Sequence, residues 1–290
     1  MKKISIIIVT YNSLDLIQDC IDSIFNFSDV LQEQIEIIVV DNSDDVASFA
    51  LFELIKKRYS DSVLLLKNKT NLGYGHGNNL GINASTGTIV CVMNPDVRFT
   101  EPLLKDVFQK FESNQKLGLL GYKQMGGKNL SFYLKPENQW SIFSSGIVKL
   151  FNRINFFNSN NFYLSGAFVF LDKSKFSLIG KFDENIFLHY EEPDIANRFL
   201  KKGYDIYFSR QKKYQHLIGE RKTVSDFTIK VQSQSLKYYL EKFNIDKRGF
   251  CNQKKIEYQL KISIARLIKD HERVANFENE LKNILEILKD

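Results

Sequence analysis

Ile4-Ser-Ile-Ile-Ile-Val-Thr-Tyr-Asn12 is the stretch on which the fold turns. Its aliphatic part, Ile4–Val9, has strand length and reads as a buried strand that ends in Thr10, Tyr11 and Asn12. Outward from it, Ser13 stands where a helix cap belongs, ahead of Leu14, Ile17, Ile21 and Ile24 on one helical face. Ile35–Val40 repeats the strand pattern and ends at Asp41-Asn42-Ser43. A helix over Val46–Arg58 is expected next, then a strand at Val63–Leu66. After a polar, Gly-rich stretch from Asn71 to Gly81 comes a strand at Thr88–Met93, closed by Asn94-Pro95-Asp96. Strands separated by helices predict an α/β fold with a parallel, doubly wound sheet. In such sheets ligands sit beyond the carboxyl ends of the strands, which gathers Thr10–Asn12, Asp41–Ser43 and Asn94–Asp96 on one rim.

The remainder is read more coarsely. A helix is expected near Leu103–Phe111, then an aromatic, Asn-rich loop region through Phe162 and a strand at Tyr163–Leu171. Phe187–Tyr190 leads into Glu191-Glu192-Pro193-Asp194, and Ile195–Lys202 has helical spacing that stops at Gly203. Two acidic side chains would stand at that helix start, where the dipole favours the ionised form. A short strand is expected at Tyr204–Phe208. The last seventy residues are expected to be helical, with Leu260, Leu267, Val274, Leu281 and Leu288 recurring every seven positions around a centre broken by Asp270 and His271. Such a stripe predicts packing on the main body or a homodimer through the C-terminal helix.

With 290 residues, 43% hydrophobic and 26% charged, the chain is ordinary globular stock. The three cysteines, Cys20, Cys91 and Cys251, lie far apart, which argues against a disulfide framework and for a reducing cytoplasm. The apolar start is interrupted by Tyr11-Asn12 and no small-residue cleavage site follows, so no signal peptide is expected. Apolar runs of strand length are too short to span a membrane. The net charge of +6 is concentrated in residues 196–255, which hold fifteen Lys/Arg and five Asp/Glu. This block suits phosphate, whether in nucleic acid, a lipid headgroup or a pyrophosphate-bearing substrate; a solvated helical surface is the other reading.

Several strand-end groups carry possible chemistry. Asp41 can accept the imide N–H of a uracil or thymine ring beside a stacking Tyr11, or simply make a turn. Asp96 can hold a hard divalent cation against a diphosphate, although Asn-Pro-Asp is also a common turn string. His216 can be a neutral metal ligand or a structural histidine. Gly73-Tyr-Gly-His-Gly-Asn-Asn79 lacks the position and glycine spacing of a dinucleotide fingerprint, and its glycines read as allowing a backbone to approach a ligand.

In order along the chain, Ile6-Ile-Ile-Val-Thr-Tyr-Asn12, Val39-Val-Asp-Asn42, Asn71–Asn79, Met93-Asn-Pro-Asp96, Ser165-Gly-Ala-Phe168, Gly180-Lys-Phe-Asp-Glu184 and Phe187–Asp194 resemble family 2 glycosyltransferases, notably the bacterial rhamnosyltransferase-like group that builds O-antigen, capsule or cell-wall polysaccharide. The resemblance spans about residues 3–220. It implies a GT-A fold, Rossmann-like with a mostly parallel central sheet, over residues 1–220. Within it, 1–100 would bind the nucleotide-sugar and 101–220 the acceptor, with 221–290 a helical C-terminal extension.

It further implies transfer of a sugar, rhamnose foremost, with inversion from a dTDP- or UDP-sugar to a glycan acceptor on a polyprenyl diphosphate. Thr10, Tyr11, Asn12 and Asp41 would hold the nucleoside; Asn71, Gly73 and Asn79 would line the donor pocket. Asp96 ends the family's acidic motif, Asn94 replacing its first Asp, so Mg²⁺ or Mn²⁺ would meet one carboxylate and His216. Glu192 occupies the position of the base, usually Asp, with Asp194 or Glu191 positioning the acceptor. The partners implied are small-molecule donor and glycan, with no nucleic acid, at the cytoplasm or peripherally on the inner membrane. A UDP-hexose or galactofuranose donor stays open, as does a catalytically silent glycan-binding or scaffold subunit. A sugar-nucleotide pyrophosphorylase would carry a Gly-rich loop where this chain has Thr10-Tyr-Asn-Ser13.

Overall fold

The computed structural model describes residues 3–43, 45–59, 62–126, 130–139, 143–217 and 226–288. The first half alternates as expected: β1 (Ile4–Thr10), α1 (Leu14–Asn26), β2 (Ile35–Asp41), α2 (Asp45–Tyr59), β3 (Val63–Lys67), α3 (Tyr74–Ala84) and β4 (Ile89–Met93). Next come β5 (Val97–Phe99), α4 (Leu104–Ser113), β6 (Leu117–Met125), β7 (Phe132–Leu134), α5 (Ser144–Ile154), β8 (Phe162–Leu164), β9 (Phe168–Asp172) and α6 (Lys173–Leu178). Then follow α7 (Glu191–Lys201), β10 (Asp205–His216), α8 (Asp226–Lys242), α9 (Lys247–Leu267) and α10 (His271–Glu286). The boundary expected at 220/221 lies outside the described residues, as do Arg221 and Lys222 of the basic block.

Eight strands form one sheet in the order β3-β2-β1-β4-β9-β6-β10-β5, with β9 and β5 running against their neighbours. It is the mostly parallel sheet of a GT-A-like fold. Thr10 lies opposite Asp41 and Ile8 opposite Met93, so the ends of β1, β2 and β4 share one rim. Ile6 and Ile8 pack with α1, α2 and α4 on one face, while Ile7 packs toward α3, α6 and α7 on the other. Burial on both faces is why β1 is an unbroken aliphatic run rather than an alternating one.

Four stretches depart in detail from the sequence reading, for physical reasons. The stretch Asn71–Gly81 is largely helix α3, and Gly75, Gly77 and Gly81 pack against protein. A Cβ on Gly81 would sit 2.5 Å from Ile7 Cγ2, and one on Gly77 2.9 Å from Val9 Cγ1, so the helix lies at glycine distance on β1. The loop region expected before Phe162 contains the central strand β6, whose apolar run is broken by Gly118 and Gly121. Those positions receive the Phe199 ring and the Leu164 side chain. The strand expected at Tyr163–Leu171 is two strands, separated at Ser165-Gly166-Ala167. Tyr204–Phe208 belongs to the longer β10, which is irregular in register between Ser209 and Lys213.

The three C-terminal helices build a cluster of their own from Leu236, Tyr239, Leu240, Cys251 and Ile287, against which Tyr190 packs. The seven-residue recurrence is not one seam, because α9 ends at Leu267 and α10 begins at His271. Leu260 and Leu267 are exposed, whereas Ile284 and Leu288 pack on that cluster. Lys242 of α8 reaches Asp183 Oδ2 at 2.6 Å and Asp194 Oδ1 at 2.5 Å, tying the extension to α7. Part of the basic surplus is therefore neutralised inside the protein: Lys212 also faces Glu101, and Lys247 faces Glu241. Lys201, Arg210 and Lys255 remain exposed. Among the described residues no helix is long and apolar enough to cross a membrane.

Two measurements test this packing. Gly81→Ala gains about 1 kcal/mol of helix propensity but overpacks a rigid core by about 1–3 kcal/mol, so net destabilisation is expected in urea unfolding. Burial would raise the Asp183 carboxyl, yet hydrogen bonds from Lys242, the Asn185 amide and Tyr238 hold it at about 2. A depressed carboxyl stabilises the fold above its unfolded value of about 3.9 and loses that contribution as pH falls toward the folded value. Asp183→Asn should therefore lower the melting temperature near neutrality and narrow its gap to the parent chain as pH falls to about 2.

Candidate active site

The rim begins with β1 and β2. Thr10 is buried, and its carbonyl accepts from the Asn42 amide at 2.9 Å. The chain then turns through Asn12, whose φ of +49° is left-handed and whose amide donates to Ser43 Oγ at 2.8 Å. That turn leaves the Tyr11 ring exposed at the strand end. Ser13 begins α1 without a side-chain cap; its hydroxyl donates back to the Tyr11 carbonyl.

Asp41 is almost fully buried beside this turn. Its Oδ1 accepts from the Ser43 amide at 2.9 Å, its Oδ2 from the Ser48 hydroxyl, and Lys67 Nζ lies 3.4 Å away. Burial alone would raise the carboxyl, but these hydrogen bonds and Lys67 together hold it below the usual carboxylate range. Asn71 extends the rim, accepting from Asn42 Nδ2 at 3.4 Å and from the Gly73 amide at 3.0 Å. Gly73 has φ +100°, and a Cβ there would strike the Phe187 carbonyl oxygen at 2.3 Å, so only glycine fits.

The next residue, Tyr74, was not singled out in the sequence, yet it joins the separate motifs. Its hydroxyl lies 3.2 Å from Asn94 Oδ1 and 3.0 Å from the Gly166 carbonyl, with donor geometry to each. The Gly166 amide donates in turn to Glu192 Oε1 at 3.2 Å. A Cβ on Gly166 would lie 2.4 Å from that oxygen, so the glycine makes the space in which Glu192 sits. The one visible signal for this group is glycine in Ser165-Gly166-Ala167.

Asn79, by contrast, faces away from this group. Its Nδ2 donates to the Phe182 carbonyl and Glu184 Oε1, both at 2.9 Å, and its Oδ1 accepts from the Phe182 amide. These bonds pin α3 to the 182–184 segment.

Glu191 and Glu192 open α7 directly after His189 and Tyr190, both left-handed with φ +69° and +70°. Such backbone costs about 1–3 kcal/mol per residue and persists where the surroundings enforce it. The helix dipole favours the ionised form of both carboxylates, but burial opposes it. Burial pushes both upward, Glu191 furthest, with the charges of Glu192 and Asp194 adding to it. Loss of water outweighs a dipole term of about 0.3–1 kcal/mol. Asp194 is wholly buried and meets Arg198 Nη2 and Lys242 Nζ, each at 2.5 Å.

At the other end of the rim, Asp96 Oδ1 lies 3.1 Å from His216 Nε2, brought there by β10 pairing with β5. Arg98, also missed in the sequence, clamps the turn through the Pro95, Val97 and Leu16 carbonyls. Asp96 Oδ1 is buried but takes no directed hydrogen bond. One carboxylate and one imidazole suit a divalent ion that draws its remaining ligands from phosphate and water. Among the described residues no group of three potential protein ligands occurs.

Tyr74→Phe removes the donor of the linkage while keeping the ring. About 1 kcal/mol of stability should be lost in denaturant unfolding, because Asn94 and the Gly166 carbonyl lose a partner.

Known proteins agree with this architecture. The poly(ribitol-phosphate) beta-glucosyltransferase of Bacillus spizizenii is 34% identical over 94 residues, 32% of this chain and 15% of that protein. The minor teichoic acid biosynthesis protein GgaA of Bacillus subtilis is 25% identical over 228 residues, 75% of this chain and 49% of that protein. The chain thus spans less than half the length of either relative. Among solved structures, the mannosyltransferase PcManGT of Pyrobaculum calidifontis, in complex with GDP-Man and Mn²⁺, superposes with a TM-score of 0.61 at 16% identity. The match covers 85% of this chain and 65% of that one, a likeness of fold. Residues 5–179, more than half the chain, match the model of Glycosyl transferase family 2, and the chain belongs to that family.

Proposed function

We propose that this chain is an inverting glycosyltransferase that moves a hexose from a pyrimidine nucleotide-sugar to a hydroxyl of a cell-surface glycan. The observation that carries the reading is the Asn94–Tyr74–Gly166–Glu192 linkage, which joins a carboxylate of α7 to the rim of the sheet. Rhamnose from dTDP-rhamnose is the preferred donor on sequence resemblance. The two Bacillus relatives favour a cell-wall polymer as acceptor. Carriage of that acceptor on a polyprenyl diphosphate fits the exposed cations of residues 196–255.

In this reading Tyr11 offers its exposed ring to the base. Asp41 accepts the imide N–H with a lone pair beyond those used by Ser43 and Ser48. Thr10, Asn12, Asn71 and Gly73 shape the turns around the nucleoside. Asp96 and His216 are the residues that would hold Mg²⁺ or Mn²⁺, which supplies charge neutralisation for the departing diphosphate. Glu192 takes the proton of the acceptor hydroxyl. The acceptor oxygen forms its bond to the anomeric carbon as the bond from that carbon to phosphate oxygen breaks, and the electron pair leaves with the diphosphate. A carboxyl raised by burial is a stronger base, which favours proton removal near neutrality. Burial pushes Glu191 further up than Glu192, which favours leaving the adjacent charge on Glu192. Asp194 positions the helix through Arg198 and Lys242, and Asn79 positions α3.

Glu192→Gln tests the assignment. Transfer should fall by about 10²–10⁴-fold, while a UDP- or dTDP-sugar with Mn²⁺ should still raise the melting temperature as it does for the parent chain. Transfer at the parental rate would overturn Glu192 as base. Absence of any sugar-nucleotide stabilisation in the parent chain would overturn the glycosyltransferase reading.

A further inference from the structure

Helix α5 carries one wide apolar stripe, only part of which the protein covers. Val148 is buried and Phe151 packs against the core beneath the sheet. On the outer side Phe143, Ile147, Leu150 and Ile154 recur at helical spacing, followed by Phe156, and these five are 43–69% exposed. A Cβ on Gly146 would meet nothing within 4 Å. An apolar stripe that the protein covers only along one edge leaves the rest for a second apolar environment.

The charge around the helix identifies that environment. From Asn138 to Leu171 the sequence contains no Asp or Glu, while Lys149 and Arg153 are exposed on α5. A twofold contact between copies would bring these cations together with no local carboxylate to offset them. An anionic bilayer surface complements both properties, apolar side chains entering the acyl boundary and the cations meeting phosphate.

We propose that α5 is a membrane-docking helix lying in the interface of an anionic bilayer, with Phe143, Ile147, Leu150, Ile154 and Phe156 inserted and Lys149 and Arg153 at the headgroups. The helix is bonded to the region of the candidate base. Asn152 accepts from the Ser131 amide at 2.9 Å and donates to the Phe132 carbonyl at 3.0 Å, fixing α5 to β7. β7 pairs with β8, across which Tyr133 and Tyr163 stack at 5.9 Å, and β8 runs directly into Ser165-Gly166 beside Glu192. Docking through α5 therefore brings the acceptor side of the molecule to the lipid surface. Its use in presenting a lipid-borne acceptor rests on the proposed glycosyl transfer; the docking itself does not.

Flotation with vesicles of phosphatidylcholine containing phosphatidylglycerol tests the inference. The parent chain should float with them, and binding should weaken with salt and with replacement of phosphatidylglycerol by phosphatidylcholine. Ile147→Glu combined with Leu150→Glu should reduce binding by about tenfold or more, while circular dichroism and sugar-nucleotide thermal shift stay at parental values. Parental binding by the double variant, or no binding by the parent chain, would overturn the proposal. A parent dimer converted to monomer by the same pair in sedimentation velocity would also overturn it, in favour of contact between copies. Vesicle binding without any sugar-nucleotide shift would leave docking standing and remove the enzymatic reading.

Discussion

The closeness of α3 to β1 is the constraint on which the rest of the site depends. Gly77 and Gly81 let the helix backbone rest on Val9 and Ile7, where any side chain would hold it off. At that distance Tyr74, in the first turn, can span to Asn94 at the end of β4 and to Gly166 ahead of β9. The same helix start is fixed from the other side, since the Tyr74 amide donates to the Phe187 carbonyl at 2.9 Å. A helix displaced by one methyl radius would break a chain of contacts that links the end of β4 and the junction between β8 and β9 to α7.

Environment, more than residue type, separates the three carboxylates of α7. Asp194 meets two cations and serves the packing of α7 against α8. Glu191 is buried without a cation and is pushed well up, while Glu192 retains the Gly166 amide as donor. Neighbouring acids are thus given different proton affinities by desolvation and pairing. The C-terminal helices take part in this division, because Lys242 belongs to α8 and Tyr190, the residue before Glu191, packs against Tyr239 with ring centroids 6.0 Å apart. The extension is consequently a brace for the helix that carries the candidate base.

Much was legible in the sequence. Buried strands on both faces of a sheet leave unbroken aliphatic runs, so β1, β2 and β4 could be read directly. Their polar ends followed from the rule that parallel strands deliver ligand sites at their carboxyl edge. Strand β6 was hidden because Gly118 and Gly121 interrupt its apolar run, and their purpose lies in Phe199 and Leu164, distant in sequence. The glycines of α3 were visible, but what they approach was not: the close partner is β1.

The chain by itself determined the alternating α/β order, the rim at the ends of β1, β2 and β4, and the presence of acidic groups in the first turn of α7, since each is a matter of local pattern and period. Only the tertiary structure decided that Tyr74 and Gly166 connect those groups, that Asp96 faces His216, that Asn79 and Asp194 are structural in their bonding, and that α5 keeps an apolar side outward. The physical reason is that desolvation, ion pairing and exposure depend on what packs against a side chain, and those neighbours come from strands and helices far apart in the sequence.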